Sequence, residues 1–293
     1  MASLVRRLFR RKKPAPLVCS ITLDDGGNPL ADDPHHHHTG ACFVDFEPLA
    51  IVELFQSQGC VSCPPAVPNV HKATSESPNR LLLTFNVTVF DHLGWKDTFA
   101  RNSWDQRQRA YVKRWQRNTL FTPQVVVNGL TDTSGAQGVD EVNEAVIKAR
   151  MEMRLPWHIY LDANDTEVRI DSDAPTPGFT PEPAPAYTDD AYGESGYTPP
   201  AQTQVPPVPL VHDIMIAVYH ATDESVKIGK GPNKGKKLVH RNVVTDVIKL
   251  GEWQGGDKTV SLPMARSAMQ RDTKAVAFVQ AGPGGPVIAA TKI

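Results

Sequence analysis

The sequence predicts an α/β domain over residues 48–154, followed by a β-rich, antiparallel, sandwich-like domain over residues 155–293. An apolar, β-prone run at residues 49–55 leads through a short polar loop to two cysteines, at the point where a helix should begin. Helix and strand patterns then alternate as far as about residue 154, and only strand patterns recur beyond it. Residues 1–47 and an internal segment, residues 172–209, have compositions that are typical of disordered chain.

Cys60 and Cys63 form a CxxC pair directly after the first predicted strand. The helix that should follow covers residues 63–75, and Pro64 and Pro65 are compatible with its first turn, where an N–H group has no intrahelical partner. Such N–H groups and the helix dipole favour a thiolate at Cys60. We therefore predict that Cys60 attacks a substrate and that Cys63, about one turn further on and more shielded, resolves the mixed disulfide.

The remaining elements of the first domain follow from their own patterns. Residues 80–90 are strongly apolar and predict a central strand, and residues 95–117 predict one or two charged helices with Asp97 as an early cap. Residues 125–127 predict a strand that enters a turn at Asn128 and Gly129. Residues 139–154 predict an amphipathic closing helix.

Three stretches of this domain resemble a known family: residues 52–66, residues 94–97 (Gly-Trp-Lys-Asp) and residues 122–124 (Thr-Pro-Gln). They are similar to domain-of-unknown-function family 1223, whose members have a thioredoxin-like domain, and the similarity covers most of the chain from about residue 48 except the proline-rich insert. The resemblance implies a thioredoxin-like fold and a dithiol site. It also implies that Pro123 is cis and close to Cys60, and that Thr122 and Pro123 present backbone to a substrate. An ordinary trans proline is the alternative.

The second domain is predicted from strand patterns alone. Residues 157–161 and 167–170 predict a hairpin, and further strands are expected at residues 214–219, 237–250, 259–262, 275–280 and 287–290. The intervening residues 172–209 hold ten of the 25 prolines and predict a disordered insert. Residues 227–237 are rich in glycine and lysine, but their spacing differs from that of a phosphate-binding loop, so we expect an exposed basic hairpin.

The charge distribution and the cysteine count limit the possible partners. Six of the 31 basic residues lie between residues 6 and 13, and the rest of the chain has 25 basic against 32 acidic residues, which excludes a large nucleic-acid footprint. No apolar run approaches the roughly 18 residues of a transmembrane helix. The basic N-terminus is either a solvated tail, a weak membrane-surface contact or a mitochondrial presequence. We expect a cytoplasmic protein, with a mitochondrial one as the alternative.

The dithiol supports more than one class of function. The first is a thiol-disulfide oxidoreductase that needs no cofactor and acts on a protein or small-molecule thiol or disulfide. The alternative is a non-catalytic thioredoxin-like binding module whose dithiol holds a metal or regulates a partner protein, and a structural dithiol remains open as well. No second CxxC is present, and His71 and His92 could add ligands only if the fold brings them in, so we expect no metal site.

Several other residues have two interpretations each. Glu53, on the first strand, is either a buried proton relay or a residue that points to solvent. Trp95 either lines a substrate groove or packs at the entry to a helix. Because Val61 and Ser62 differ from the Gly-Pro pair of thioredoxin, a general thioredoxin-like reductase role is not expected. Cys19, Cys42 and the polyhistidine run at residues 35–38 are interpreted as incidental features of the tail.

Overall fold

A computed structural model of the protein describes residues 47–177 and 210–293, and all of these except Glu47 belong to one compact unit, Pro48–Ile293. The described chain is a mixed α/β fold with a large β-sheet and few helices. The predictions for the basic tail, Cys19, Cys42, the polyhistidine run and residues 178–209 of the proline-rich insert lie outside the described residues.

The first half of the described chain alternates strands and helices, as the sequence predicts. Its elements are β1 (Ala50–Gln56), α1 (Cys63–Ser75), β2 (Arg80–Asn86), α2 (Asn102–Arg114), β3 (Gln124–Val127), β4 (Thr131–Thr133) and α3 (Val139–Glu152). The second half consists of strands and one short 3-10 turn. Its strands are β5 (Ile159–Ala163), β6 (Glu167–Ser172), β7 (His212–His220), β8 (Glu224–Lys227), β9 (Lys237–His240), β10 (Val243–Trp253), β11 (Lys258–Ser261), β12 (Thr273–Gln280) and β13 (Val287–Lys292).

Eight strands form one sheet in the order β13-β12-β7-β10-β2-β1-β3-β4. β1 is parallel to β2 and antiparallel to β3, so it lies in the interior of the sheet. Val243 of β10 pairs with Thr84 of β2, and this pair joins strands from both predicted domains. A three-stranded sheet, β11-β6-β5, and the β8-β9 hairpin complete the architecture. The division of the chain near residue 154 stays a prediction.

The two faces of β1 contribute to different cores, because successive side chains of a strand point to opposite faces. Val52 and Leu54 pack with residues of α1 and α3. Ile51 and Phe55 pack with residues of α2 and of the strands beyond β2. A third core lies between the large sheet and the three-stranded sheet and includes Trp253. The dithiol follows β1 and begins α1, so it is attached to the most buried strand.

Several boundaries differ from the sequence predictions. Asp97 does not cap a helix: α2 begins later, its N-cap residue is Arg101, and Asp97 is buried. The strand predicted at residues 237–250 is broken into β9 and β10 around Asn242, which has a φ of 50° and donates from its side chain to the Leu82 carbonyl. β8 was not predicted, and β2 ends at Asn86 rather than near residue 90.

Candidate dithiol site

Cys60 lies in the tight turn that connects β1 to α1, which we call the dithiol loop (residues 57–60). Its backbone N–H donates to the Ser57 carbonyl at 3.1 Å. The loop passes so close to Phe90 that a Cβ on Gly59 would lie 2.8 Å from the Phe90 Cβ, so glycine is needed there. Cys60 and Cys63 are free thiols and both are buried.

The two cysteines have opposite acid strengths. A hydrogen bond from Cys63 lowers the pKa of Cys60 from 9.0 to about 5, against the opposing effect of burial, and Ser62 and Thr122 lower it further. Burial raises the pKa of Cys63 far above its ordinary value, and the adjacent Cys60 raises it further. At neutral pH the pair is therefore a Cys60 thiolate beside a Cys63 thiol, which is the arrangement an attacking and a resolving cysteine need.

Ser62 connects Cys60 to the segment before β3. The Ser62 Oγ lies 3.2 Å from the Cys60 Sγ and donates to the Thr122 carbonyl at 3.0 Å. The Cys60 thiol, when protonated, can donate to the same carbonyl at 3.5 Å. Ser62 is the N-cap residue of α1, but its hydroxyl makes no capping bond. Instead, that hydroxyl contacts the Cys60 sulfur and the Thr122 carbonyl.

Thr122 and Pro123 are brought to Cys60, as predicted from the family resemblance. The peptide bond between them is cis, which confirms the prediction. Pro123 is buried and Thr122 is half-buried. Exposed apolar side chains follow Cys60 and precede Thr122 in the chain, since Val61 is 64% exposed and Phe121 is 39% exposed.

Gln58 anchors the dithiol loop to the segment between β2 and α2. Its backbone N–H donates to Asp97 Oδ2 at 2.7 Å, and its side-chain oxygen accepts from Trp95 Nε1 at 2.8 Å and from the Thr98 backbone N–H at 3.2 Å. Asp97 also accepts from Asn86 Nδ2 at 2.9 Å. Burial raises the pKa of Asp97, although these donors oppose it.

The Trp95 ring lies over Gly229, where an added Cβ would be 2.9 Å from the ring. This contact and its bond to Gln58 place Trp95 against the β8-β9 hairpin, seven residues before α2 begins. The interpretation of Trp95 as helix-entry packing is therefore wrong. The role of Trp95 in lining a substrate groove stays a prediction.

Asn233 was missed by the sequence analysis. It lies between β8 and β9, in the turn predicted to be an exposed basic hairpin, and it is fully buried. Its Nδ2 donates to the carbonyls of Gln58 at 2.9 Å and Cys60 at 2.7 Å, and Lys236 Nζ donates to its Oδ1 at 3.0 Å. The predicted hairpin is confirmed, but Asn233 near its tip is buried and bonds to the dithiol loop.

A cleft of about 630 Å³ lies between the first turns of α1 and strand β9. We call it the Cys63 cleft, and its lining includes Gln56, Cys63, Val67, His71, Lys237 and His240. Burial lowers the pKa of both histidines to about 4, so each is neutral at pH 7. His240 contacts the dithiol loop directly, because its Nε2 is 3.4 Å from Gln58 Nε2.

Glu53 belongs to a different polar group, which we call the Glu53 cluster (Glu53, Arg107, Tyr111 and Gln280). Glu53 is completely buried, so the interpretation that it points to solvent is wrong. Arg107 donates to both of its carboxylate oxygens, at 2.5 and 2.8 Å, and the Tyr111 hydroxyl also donates to it. Gln280 completes the cluster through bonds to Arg107 and Tyr111. None of these bonds joins Glu53 to a cysteine, and the proton-relay role stays a prediction.

Residues 47–177 and 210–293 contain no group of three or more His, Cys, Asp or Glu side chains that could hold a metal ion. Over the same ranges, none of the helices has the length and apolar character required to cross a membrane.

Two solved structures are similar to this chain. A crystal structure of a protein from Agrobacterium tumefaciens is 25% identical, has a TM-score of 0.59, and is matched over 85% of this chain and 95% of that chain. HBP35 of Porphyromonas gingivalis is 13% identical, has a TM-score of 0.50, and is matched over 85% of this chain and 75% of that chain; its likeness concerns the fold alone. No curated protein matches the chain. The family model described as "Protein of unknown function (DUF1223)" matches residues 51–186 and 195–280, and the chain belongs to this family.

Proposed function

We propose that the protein is a thiol-disulfide oxidoreductase in which Cys60 attacks and Cys63 resolves. One observation carries the proposal: the two sulfurs are adjacent, the pKa of Cys60 is lowered to about 5, and that of Cys63 is raised. Residues that serve only as packing have no need for this asymmetry. A buried dithiol with one stable thiolate has instead the nucleophile and the proton-bearing partner that disulfide exchange uses.

The reaction balances without a cofactor. The Cys60 thiolate attacks one sulfur of a substrate disulfide, a mixed disulfide forms, and the first substrate thiolate leaves and takes up a proton. Cys63 then loses its proton and attacks the Cys60 sulfur, which releases the second substrate thiolate. The substrate disulfide is reduced to two thiols, and the Cys60 and Cys63 thiols are oxidised to one disulfide. The reverse sequence oxidises a substrate dithiol.

We further propose that residues 48–154 form the thioredoxin-like domain that the family resemblance implies. Strands β2, β1, β3 and β4 are adjacent in the sheet, α1 and α3 pack on one face of it, and α2 contributes to the core on the other face. The Thr122-Pro123 segment lies beside Cys60 in this arrangement. The exposed Val61 and Phe121 favour a substrate that presents apolar side chains near its cysteine, such as a peptide segment.

The low pKa of Cys60 also favours one direction of exchange. A stabilised thiolate stabilises the reduced protein, and a couple with a stabilised reduced form is the more oxidising. We therefore expect a reduction potential above about −230 mV, so that the disulfide form passes its oxidising equivalents to substrate dithiols.

The test is a redox titration of the full chain in defined glutathione buffers, with alkylation and intact mass reporting the thiol count. A Cys19→Ser/Cys42→Ser background leaves Cys60 and Cys63 as the two reporting thiols. We expect one reversible two-electron transition. Cys63→Ser should accumulate a mixed disulfide with glutathione on Cys60, and Cys60→Ser should accumulate none. A pair that stays reduced throughout, or equal trapping in both variants, would overturn the proposal.

A further inference from the structure

The Cys63 cleft contains buried polar atoms that have no partner in the described chain. Gln56 is 3% exposed, its side chain lines the cleft, and its Nε2 donates no hydrogen bond to any of residues 47–177 and 210–293. The Nε2 of His71, also in the lining, is likewise without a described partner. A buried amide N–H that lacks a partner lowers the stability of the folded protein. Two such atoms in one cleft indicate a place where a ligand supplies the missing partners.

The rest of the lining specifies the chemistry of that ligand. Val67, Pro68 and Leu238 provide apolar walls. Lys236 and Lys237 are both lining residues, and the Lys236 ammonium also donates to Asn233 Oδ1; the lining holds no Asp or Glu. The volume of about 630 Å³ lies in the usual range for small-molecule sites.

We propose that the Cys63 cleft binds a small organic anion, with its acidic group bonded to Gln56 Nε2 and His71 Nε2 and neutralised by Lys236 and Lys237, and its apolar part against Val67 and Leu238. Gln56 donates to the anion, and the neutral His71 ring donates through its Nε2–H. The bound anion contacts Cys63, which forms part of the wall. This binding goes beyond the proposed redox function and does not depend on it, because the groups that hold the anion are Gln56, His71, Lys236 and Lys237 and not the two thiols.

Benzoate is a suitable probe, and benzamide is its uncharged control of nearly the same shape. Both are titrated into the reduced full chain while backbone amide NMR shifts are followed. We expect saturable shifts from benzoate at Val67, His71 and Leu238, and at least about tenfold weaker binding of benzamide, since hydrogen bonds to a charged group are the stronger ones. Inorganic phosphate tests whether charge alone suffices, and we expect it to bind more weakly than benzoate.

Variants locate the binding. Gln56→Leu removes the unpartnered amide and should weaken benzoate about tenfold without lowering the stability of the protein. Lys237→Gln should weaken it several-fold. Lys234→Gln, on the same hairpin but outside the lining, is the matched control and should change nothing.

Cys60→Ser should bind benzoate normally, so failure of the redox proposal leaves this test intact. Equal binding of benzoate and benzamide, non-saturable shifts, or full binding by Gln56→Leu would overturn the proposal.

Discussion

Two polar groups flank β1, and they differ in how completely they are satisfied. In the Glu53 cluster the carboxylate is paired with Arg107 and Tyr111, and Gln280 bonds to both. Around the dithiol loop the backbone is held by bonds to Asp97 and Asn233, but in the adjacent cleft the Nε2 atoms of Gln56 and His71 have no partner among the described residues. We infer that the closed cluster stabilises the sheet, whereas the incompletely satisfied side carries the chemistry and the binding that we propose.

The largest effect should come from Glu53→Gln. Burial acts to lower the pKa of Arg107, but the Glu53 carboxylate outweighs it, so removing that charge leaves a buried guanidinium uncompensated. We expect a loss of about 3 kcal/mol in the free energy of unfolding, measured in urea. The alkylation rate of Cys60 should not change, because no bond of Glu53 reaches the dithiol.

An exposed ion pair provides the control for this variant. Arg241 and Asp223 are bonded at 2.9 Å but partly exposed, so Asp223→Asn should cost less than about 1 kcal/mol. If Glu53→Gln instead altered Cys60 reactivity at unchanged fold, the cluster and the dithiol would be coupled, and the proton-relay prediction for Glu53 would gain support.

The second prediction concerns Asn233. Asn233→Ala leaves the carbonyls of Gln58 and Cys60 without this donor, and we expect a loss of about 2 kcal/mol in the free energy of unfolding. Unlike Glu53→Gln, it should also change the pH dependence of Cys60 alkylation, because the loop that positions the thiolate is released. Lys234→Ala, next to it in the chain and exposed, serves as the control.

An Asn233→Ala protein that lost stability with an unchanged Cys60 pKa would show that the hairpin tip contributes to folding stability but not to the acidity of Cys60. The distinction between the two polar groups would then fail, because both would be structural. Matching pH profiles for Asn233→Ala and the control are therefore the result that contradicts this prediction.

Local signals predicted the parts of the site that depend on neighbours in sequence. The CxxC spacing and the prolines after it predicted the start of α1, and α3 ends two residues before its predicted limit. Glu53 could not be oriented, because all seven residues of β1 are buried and the usual alternation of polar and apolar residues is absent. Asn233 is 175 positions from Gln58, so its contact depends on the tertiary arrangement and has no local pattern.

Asp97 shows how a local signal misleads. An acidic residue ahead of a helical pattern is typical of a cap, but here the carboxylate accepts the Gln58 and Phe99 backbone N–H groups. The same residue type satisfies unpaired backbone donors in both cases. The sequence indicates that such donors exist nearby, but only the tertiary arrangement determines that they belong to the dithiol loop.

The smallest predicted effect is that of Ser62→Ala on the acidity of Cys60. In the wild type, the alkylation rate of Cys60 should rise with pH through about 5, where the thiolate forms. Ser62 lowers this pKa when its one hydroxyl proton is donated to the Cys60 thiolate, and when Cys60 is protonated the same hydroxyl donates to the Thr122 carbonyl. Without it, that carbonyl is left to the Cys60 thiol, which favours the protonated sulfur. The pKa should therefore rise, and at a pH below the new value the rate should fall by less than about tenfold.

Ser62→Thr retains the hydroxyl and should keep the wild-type profile, which separates hydrogen bonding from packing at this position.

The acidity of Cys60 also makes the stability of the folded protein depend on pH. Because the folded pKa of Cys60 is below its unfolded value, the stability that its thiolate contributes is present above pH 9.0 and lost as the pH falls through about 5. In Ser62→Ala the loss should still begin near the unfolded pKa of 9.0, but it should be complete at a higher pH and be smaller in total, measured by urea unfolding of the reduced protein against Cys60→Ser. A variant whose alkylation profile and unfolding both overlay the wild type would show that Cys63 alone sets the acidity of Cys60, and that the Thr122 segment contributes to position rather than to charge.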